Sequence, residues 1–599
     1  MTYYFILYEE VLQKTRNGNI STTVEQNEKQ NNRPIKQSEA SDVDEIEDPS
    51  FIGEIKIYFR NFCNHTGIHG FQYFGQHRTL IEKIWWLLVF LITFSACAFC
   101  IFLIYEKWAT SPVIVSLATK ETPIYQIPFP AVTICPTIKY TRECFRDDEL
   151  FSVRNKRKLA EYTLSLCKKQ TRNSRDNGTF KDAFYTEHFF KTLLKCSPFA
   201  RSNFTVRFMN RYQFEFSKVF LPVITDDGIC FSFNMMDRKE IFSDNAAKYH
   251  GFVETAEPSQ WIPQVGYPEE AELDTYPRRA LLSGAINSLE IIMGHSEKDI
   301  NYECNGAEQG YKVLLHIPCR IARPTMESIM VPFNKATTIT VIPEMMSTSS
   351  RVKKYDPETR NCYFPGEKQL RFFKIYTKNS CDMECLANYT LRFCNCVGFW
   401  MPRKISFPIC GPAKLNCLSV TKDAYELMQL NDKLKEERLK RQLAAAKKNK
   451  TIESFIFWKP NNEEEVDENI KNLEEKISSV KNECNCFPIC SDLTYVGTAS
   501  SLDFRWEEQS ENKTANNTPI DEKAGGLTQI NIFIKTNDIL TRERNELYGP
   551  TDFISNFGGL LGLFSGFSIL SFMEIVYYLT LRIIGNCKKF GRWYGEEEK

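Results

Sequence analysis

The chain has 599 residues, and its 75 lysines and arginines are matched by 75 aspartates and glutamates, giving zero formal net charge. That balance argues against a protein that holds nucleic acid electrostatically. Two long charge-free apolar runs argue against a wholly soluble chain.

Residues 1–50 are polar, carry no periodic apolar pattern and are expected to be a flexible tail. Residues 51–80 are richer in aromatics and contain NHTGIHGFQYFG, a compact segment ahead of the first apolar run. That run, Ile84–Ile104, lies within a helix predicted over 81–105. About 20 apolar residues cross a bilayer. A second run, Phe553–Met573, carries no charge, and Glu574 is then the only charge before Arg582. It falls in a helix predicted over 550–584. Arg78 and Lys83 precede the first run, and Arg582, Lys588, Lys589 and Arg592 follow the second. The positive-inside tendency puts both termini, 1–80 and 585–599, in the cytosol of a multi-pass plasma-membrane protein. Residues 106–549 then lie outside.

Cysteine usage agrees with an outer location. Seventeen of the 21 cysteines fall between the runs: Cys135, Cys144, Cys167, Cys196, Cys230, Cys304, Cys319, Cys362, Cys381, Cys385, Cys394, Cys396, Cys410, Cys417, Cys484, Cys486 and Cys490. Such density implies disulfides in an oxidising compartment, and the odd number leaves at least one cysteine outside any internal pair. Glycosylation sequons occur on the same segment at Asn177, Asn203, Asn388, Asn449, Asn512 and Asn516. Asn19 and Asn64 also match, on the side read as cytosolic.

Within that segment SPVIVS, IPFPAVTICP, GICFSFN and YKVLLHIP read as strands. The fold expected is a membrane α-helical protein with two transmembrane helices and a large disulfide-rich α+β outer domain. Residues 421–483 differ from their surroundings. KLKEERLKRQLAAAKKNK is charged and helix-favouring, and Leu427, Leu430, Leu434, Leu439 and Leu443 form a loose stripe. Val466, Ile470, Leu473, Ile477 and Val480 are spaced 4, 3, 4, 3, one apolar face of a second helix. An antiparallel helix pair is the expectation. No HExxH, GxSxG or Walker loop is present, so no enzyme is predicted. The outer histidines (His188, His250, His295 and His316) do not accompany the CxC pairs in a zinc-like pattern, so no structural metal and no cofactor are expected.

The second run raises its own question. Gly558, Gly562 and Gly566 recur every fourth residue, with Gly559 beside them. Small residues on one face let helix backbones approach closely, and plain helix packing would explain them. Yet Phe553 to Ile584 is longer than a straight bilayer-spanning helix needs, so a break or strong tilt is expected.

Taken in order, these landmarks resemble the degenerin/epithelial sodium channel superfamily, from about His69 to Tyr578. They are His69-Gly70, FPAVTICP, GICFSFN, GYKVLLHIP, the cysteine block Cys362–Cys490 ending in CNCFPIC, and SNFGGLLGLFSGFS. WIPQVGYPEEAELDTYPRRA and the insert before CNCFPIC look most like the insect pickpocket branch. The resemblance implies a homo- or heterotrimeric, sodium-selective, voltage-independent and amiloride-sensitive channel in the lipid bilayer, with Na+ as the conducted ion. Its outer domain would be a β core with helical finger and thumb. It implies disulfides Cys135–Cys230, Cys362–Cys490, Cys381–Cys486, Cys385–Cys484, Cys394–Cys417 and Cys396–Cys410. Cys167–Cys196 and Cys304–Cys319 are the pairs expected among the remainder.

The resemblance also assigns roles. Gly566, Phe567 and Ser568 match the family's G-x-S selectivity filter, where an interrupted helix would offer backbone or hydroxyl oxygens to sodium. Ser555, Asn556 and Gly559 fall at the pore and gate, and the small Ser555 fits a gate that closes. Asn556 stands where acid-sensing relatives have aspartate, which weakens any reading of proton gating. Glu574 fits a cation-attracting ring at the inner mouth, against the alternative of a glutamate snorkelling to the interface. His69-Gly70 resembles the cytosolic gating motif, with Gly67 in place of the usual small polar residue. The short segment after the second run lacks the proline-tyrosine motif of epithelial subunits. Rival readings are an ATP-gated trimeric channel, which would need clustered outer lysines, and a non-conducting accessory subunit. The stimulus, an outer ligand or peptide among the possibilities, is not encoded legibly.

Overall fold

The computed structural model describes residues 51–76, 78–110, 113–141, 205–210, 212–247, 258–263, 265–300, 307–455, 484–505, 526–547 and 549–595, with a few shorter stretches between 166 and 198, residue 302 and residues 471–472. The chain divides into two compact units. One comprises Met1–Cys97 with Gly558–Lys599, the other Ala98–Phe557.

The larger unit is a β domain. Its strands, in chain order, are β1 (Val113–Leu117), β2 (Ala131–Pro136), β3 (Thr205–Phe208), β4 (Tyr212–Glu215), β5 (Phe220–Thr225), β6 (Gly228–Phe233), β7 (Leu289–His295), β8 (Gly310–His316), β9 (Ile329–Pro332), β10 (Lys335–Thr348), β11 (Asp492–Asp503), β12 (Gly526–Ile534) and β13 (Arg542–Glu546). One sheet runs β1-β13-β10-β12-β7-β3-β4, with β11 along the other edge of β10. The second runs β9-β8-β2-β6-β5. The strands read from the sequence as SPVIVS, IPFPAVTICP, GICFSFN and YKVLLHIP are β1, β2, β6 and β8.

Burial follows the side-chain alternation of a strand. LEIIMGH in β7 and GLTQINIFI in β12 bury every second residue. The AVTICP of β2, central in its sheet, is buried throughout. A phenylalanine cluster joins the layers: Phe129 meets Phe208 at 5.2 Å between ring centres, and Phe208 and Phe220 each lie 5.6 Å from Phe233.

Two buried polar clusters sit within this domain. Asp227 is buried between Lys139, at 2.7 Å, and Lys312, at 2.8 Å. Burial alone would raise its carboxyl, but the two ammonium groups more than offset that and hold it below the usual carboxylate range. His316 forms a ladder across three strands. Its Nδ1–H donates to the Ile317 carbonyl at 2.9 Å, and its Nε2 accepts from the Thr133 hydroxyl at 2.7 Å. Thr133 bonds in turn to Ser232. Burial pushes the imidazole down from 6.5 to about 4, a shift the Ile317 carbonyl opposes and Arg320 reinforces.

Disulfides tie this domain together. Cys135–Cys230 links β2 to β6, and Cys362–Cys490, Cys381–Cys486, Cys385–Cys484, Cys394–Cys417 and Cys396–Cys410 staple the cysteine block. Cys381 and Cys385 sit one turn apart on a helix, Lys378–Cys394, whose start is capped by Thr377, accepting from the Ser380 N–H at 3.0 Å. That helix packs on a second, Leu415–Phe455, through Leu386, Ala387, Leu418 and Tyr425. The partner stripe Val466–Val480 and its pairing with this helix lie outside the described residues.

Two cysteine expectations need separate statement. Cys167 and Cys196 are both disulfide-bonded. Cys319, expected to pair with Cys304, is instead a free thiol 1% exposed in the main core. It acts there as a small hydrophobic side chain, and burial pushes its thiol up to about 12. Cys144 and Cys304 lie outside the described residues, as do Asn177, Asn203, Asn512 and Asn516 and the side chain of Asn449. Asn388 is exposed on the Lys378–Cys394 helix.

The remaining helices are labelled in chain order: α1 (Phe51–His65), α2 (Leu80–Thr110), α3 (Lys378–Cys394), α4 (Leu415–Phe455), α5 (Pro550–Ser565), α6 (Ile569–Leu579) and α7 (Leu581–Phe590). Among the described residues one helix, over Leu80–Trp108, is long and apolar enough to cross a membrane alone. α5 and α6 qualify only together, as a pair bent by 73°. The helix expected over 550–584 is therefore interrupted twice: at Gly566–Ser568, and at Thr580, whose φ of −126° and ψ of −80° separate α6 from α7.

Candidate functional site

β1 follows α2 and β13 precedes α5. β1 pairs antiparallel with β13, from Val113 opposite Glu546 to Leu117 opposite Arg542. Trp108 of α2 meets Phe553 of α5 at 5.7 Å between rings. The two helices thus depart from one edge of the β domain. Ser555, Asn556 and Gly559 are exposed on α5. A Cβ built on Gly558, Gly559 or Gly562 meets nothing within 4 Å among the described residues. Their small-residue face meets no other described residue.

The break itself is built from local chemistry. Gly566 has φ +64°, a conformation side-chain-bearing residues rarely adopt. Ser568 then caps α6: its Oγ accepts from the Ser571 N–H at 3.2 Å, and Ser571 Oγ accepts from the Ser568 N–H at 3.3 Å. The Ser568 hydroxyl thus serves as the cap of α6.

A second segment is seated on this break. The His69 N–H donates to the Ser565 carbonyl at 3.0 Å, capturing an acceptor at the end of α5. A Cβ on Gly566 would lie 1.5 Å from His69 Nδ1. Gly566 is required twice, for its φ and for the imidazole against it. Gly70 has φ +90° and turns the chain away. Phe71 then packs on Phe90 of α2 at 5.5 Å, and Tyr73 stacks on Trp86 at 4.0 Å. Gly75 completes the hairpin: its carbonyl accepts from Arg60 Nε at 3.0 Å, and a Cβ there would lie 2.1 Å from Asn64 Oδ1.

Glu574 is anchored by the same segment. Its Oε2 accepts from the Gly67 N–H at 2.9 Å and from the Thr66 hydroxyl at 3.3 Å. A carboxylate in an apolar helix is thereby hydrogen-bonded rather than left to lipid. Thr66 and Gly67 were not singled out as its partners, and no local pattern links them to a residue some 500 positions away. A Cβ on Gly67 would sit 3.6 Å from Ser571 Oγ and 3.7 Å from Glu574 Oε1, ordinary contact distances. A small polar residue would fit there, so glycine is a tolerated departure.

α1 runs antiparallel to α6 and α7. Phe62 meets Tyr578 at 5.2 Å, Tyr58 bonds to the Tyr578 carbonyl, and Arg582 reaches Asn61 Oδ1 at 3.4 Å. The expected compact segment ahead of the first apolar run is thus a helix and turn laid along α6 and α7.

Among the described residues Cys381, Cys385 and Cys486 bring sulfurs within 4.8 Å of one another. All three are in disulfides, so the thiolates a metal would need are not available.

The described residues thus hold an apolar helix broken at Gly566–Ser568 with a turn seated on the break, and, in the other unit, a disulfide-rich β domain. The chain matches the family model described as amiloride-sensitive sodium channel over residues 62–578, and it belongs to that family. It is 25% identical over 547 residues to Pickpocket protein 28 of Drosophila melanogaster, covering 87% of this chain and 78% of that protein. It is 22% identical over 563 residues to the sodium channel protein Nach of Drosophila melanogaster, covering 90% of each. A shorter match, 28% over 99 residues, is to the epithelial sodium channel subunit alpha of Xenopus laevis, covering 16% of this chain.

Proposed function

We propose that the chain is one subunit of a trimeric, sodium-selective, amiloride-sensitive cation channel that opens independently of voltage. α2 and the α5–α6 pair span the plasma membrane, residues 1–80 and 585–599 are cytosolic, and 106–549 lie outside. The subunit assembles with copies of itself or with related subunits. Its gate responds to an outer ligand or peptide or stands open.

The observation that carries this reading is the break at Gly566–Ser568. Non-helical backbone at membrane depth is tolerated only where it is covered by protein or faces water. Here one side is covered by His69, and three such breaks around an axis would present a ring of carbonyls able to replace part of a sodium ion's hydration shell. Ser555 lies about three turns outward, where a small side chain lets the pore narrow.

The test opens the gate without knowing the stimulus. Ser555→Cys is expressed alone and treated with a bulky thiol reagent under voltage clamp. The expected result is a new amiloride-sensitive current whose reversal potential falls when external sodium is replaced. Surface protein with no current overturns the homomeric channel and directs the search to a partner subunit.

A further inference from the structure

The segment after α7 folds back as a hook. Gly591, with φ +69°, ends α7, and its N–H donates to the Cys587 carbonyl at 3.1 Å. The hook is fixed by Asn586, 7% exposed, whose Nδ2 donates to the Trp593 carbonyl at 3.0 Å. Trp593 is thereby planted on the first turns of α1. Its Nε1–H donates to Glu54 Oε2 at 3.0 Å, and its ring meets Tyr58 at 5.5 Å and Phe51 at 6.3 Å.

The opposite end of α1 leads directly into Thr66, Gly67 and His69, which bind Glu574 and the Ser565 carbonyl. A helix of 15 residues therefore connects the hook to the break. At the break end the turn contributes few hydrogen bonds: two to Glu574 and one to Ser565. Loss of the anchor at the start of α1 should loosen that turn, which α1 holds against α6 and α7 through the Tyr58, Asn61 and Phe62 contacts.

We propose that Trp593 is a positioning residue for conduction. By clamping α1 it keeps the Thr66–Gly70 turn seated on the α5–α6 break, so the hook sets the fraction of subunits whose filter backbone is held open. This rests on the channel reading above.

Two readouts test it on the full chain. Cys63, on α1, is 0% exposed and reports whether the helix is seated. In permeabilised membranes carrying Cys587→Ser, a maleimide reagent should label Cys63 about tenfold faster in Trp593→Ala. That is the change expected when a charge-assisted hydrogen bond and aromatic contacts are lost. Glu54→Ala and Trp593→Phe, which each lose the hydrogen bond between the two residues but keep an aromatic ring at 593, should both accelerate labelling less. In the Ser555→Cys background, thiol-opened current per surface subunit should fall about fivefold in Trp593→Ala and recover in part in Trp593→Phe, which restores the aromatic contacts but not the hydrogen bond. Unchanged labelling together with unchanged current per surface subunit in Trp593→Ala overturns the hook. A silent Ser555→Cys parent overturns the channel reading instead, and the labelling rates still decide the hook.

Discussion

The β domain and the α5–α6 break are stabilised in opposite ways. The domain has two sheets around a continuous core, six described disulfides and buried ion pairs, so its stability is spread over many contacts. The break depends on one glycine dihedral, one serine cap and three hydrogen bonds from a turn distant in sequence. A change in the domain should therefore register as less protein at the surface. A change at the break should register as less current from a normal amount of protein.

Gly566→Ala is the sharpest way to test that contrast and should have the largest effect. The new methyl would fall 1.5 Å from His69 Nδ1 and 2.2 Å from its Cε1, on a backbone at φ +64°. Either the imidazole leaves the break or the dihedral changes, and both rearrange the carbonyls of the break. We expect thiol-opened current in the Ser555→Cys background to drop more than tenfold, as for a transition costing over about 1.4 kcal/mol. Surface biotinylation should stay within twofold of the parent, because nothing in the β domain is touched. Equal loss of surface protein would show that the break is also a folding element.

Asp227→Ala should give the reverse pattern. It leaves the Lys139 and Lys312 ammonium groups buried without their shared carboxylate. Removing one partner of a buried ionic cluster costs about 3–5 kcal/mol. Surface protein should fall severalfold, while current per surviving surface subunit should match the parent. Asp227→Asn, which keeps the shape and some hydrogen bonding, should be intermediate.

The contrast also explains what was readable in the sequence. β1, β2, β6 and β8 announce themselves because alternation or a continuous apolar run is a local pattern, and β7 and β12, whose burial alternates as regularly, were passed over. The break was foreshadowed by the excess length of the second apolar run and the G-x-S resemblance. Its supports were not, since Thr66, Gly67 and His69 reach Ser565 and Glu574 through contacts that leave no periodicity. Thr580 gave no warning either: YLTLRII holds no glycine or proline, yet α6 stops at Leu579. Cys319 was misread because counting cysteines favours pairs, whereas a thiol packed in an apolar core needs no partner. Trp593 lay in a short tail with no pattern at all.

A smaller effect follows from the His316 ladder. The neutral ring is the form that donates to Ile317 and accepts from Thr133, and burial places its folded value near 4 against 6.5 ordinarily. The unfolded chain then binds the extra proton between those values, so stability is full above about pH 6.5 and is lost as pH falls toward 4. The loss is of order 1 kcal/mol for each pH step in that window. Thermal unfolding of the detergent-solubilised chain should show the melting point declining across it. His316→Gln, which can still donate and accept, should flatten the decline while lowering the melting point at neutral pH. An identical slope in the variant would assign the acid sensitivity to other groups.

The smallest effect belongs to a pair that looks stronger than it is. Lys335 and Asp503 close the end of the β10–β11 ladder, and the ammonium group's hydrogen bond holds the Asp503 carboxyl below its usual range. Their side chains are 40% and 69% exposed, however, so water solvates both charges and salt screens them. The same ion-pair chemistry that makes Asp227 indispensable contributes little here, because the carboxylate never leaves solvent. Lys335→Ala should change the melting point by no more than about 1 °C and leave surface protein and current unaltered. A drop comparable to that of Asp227→Ala would mean that this end of the β10–β11 ribbon is covered in the assembled channel, and that its charges are buried at a contact one chain alone does not make.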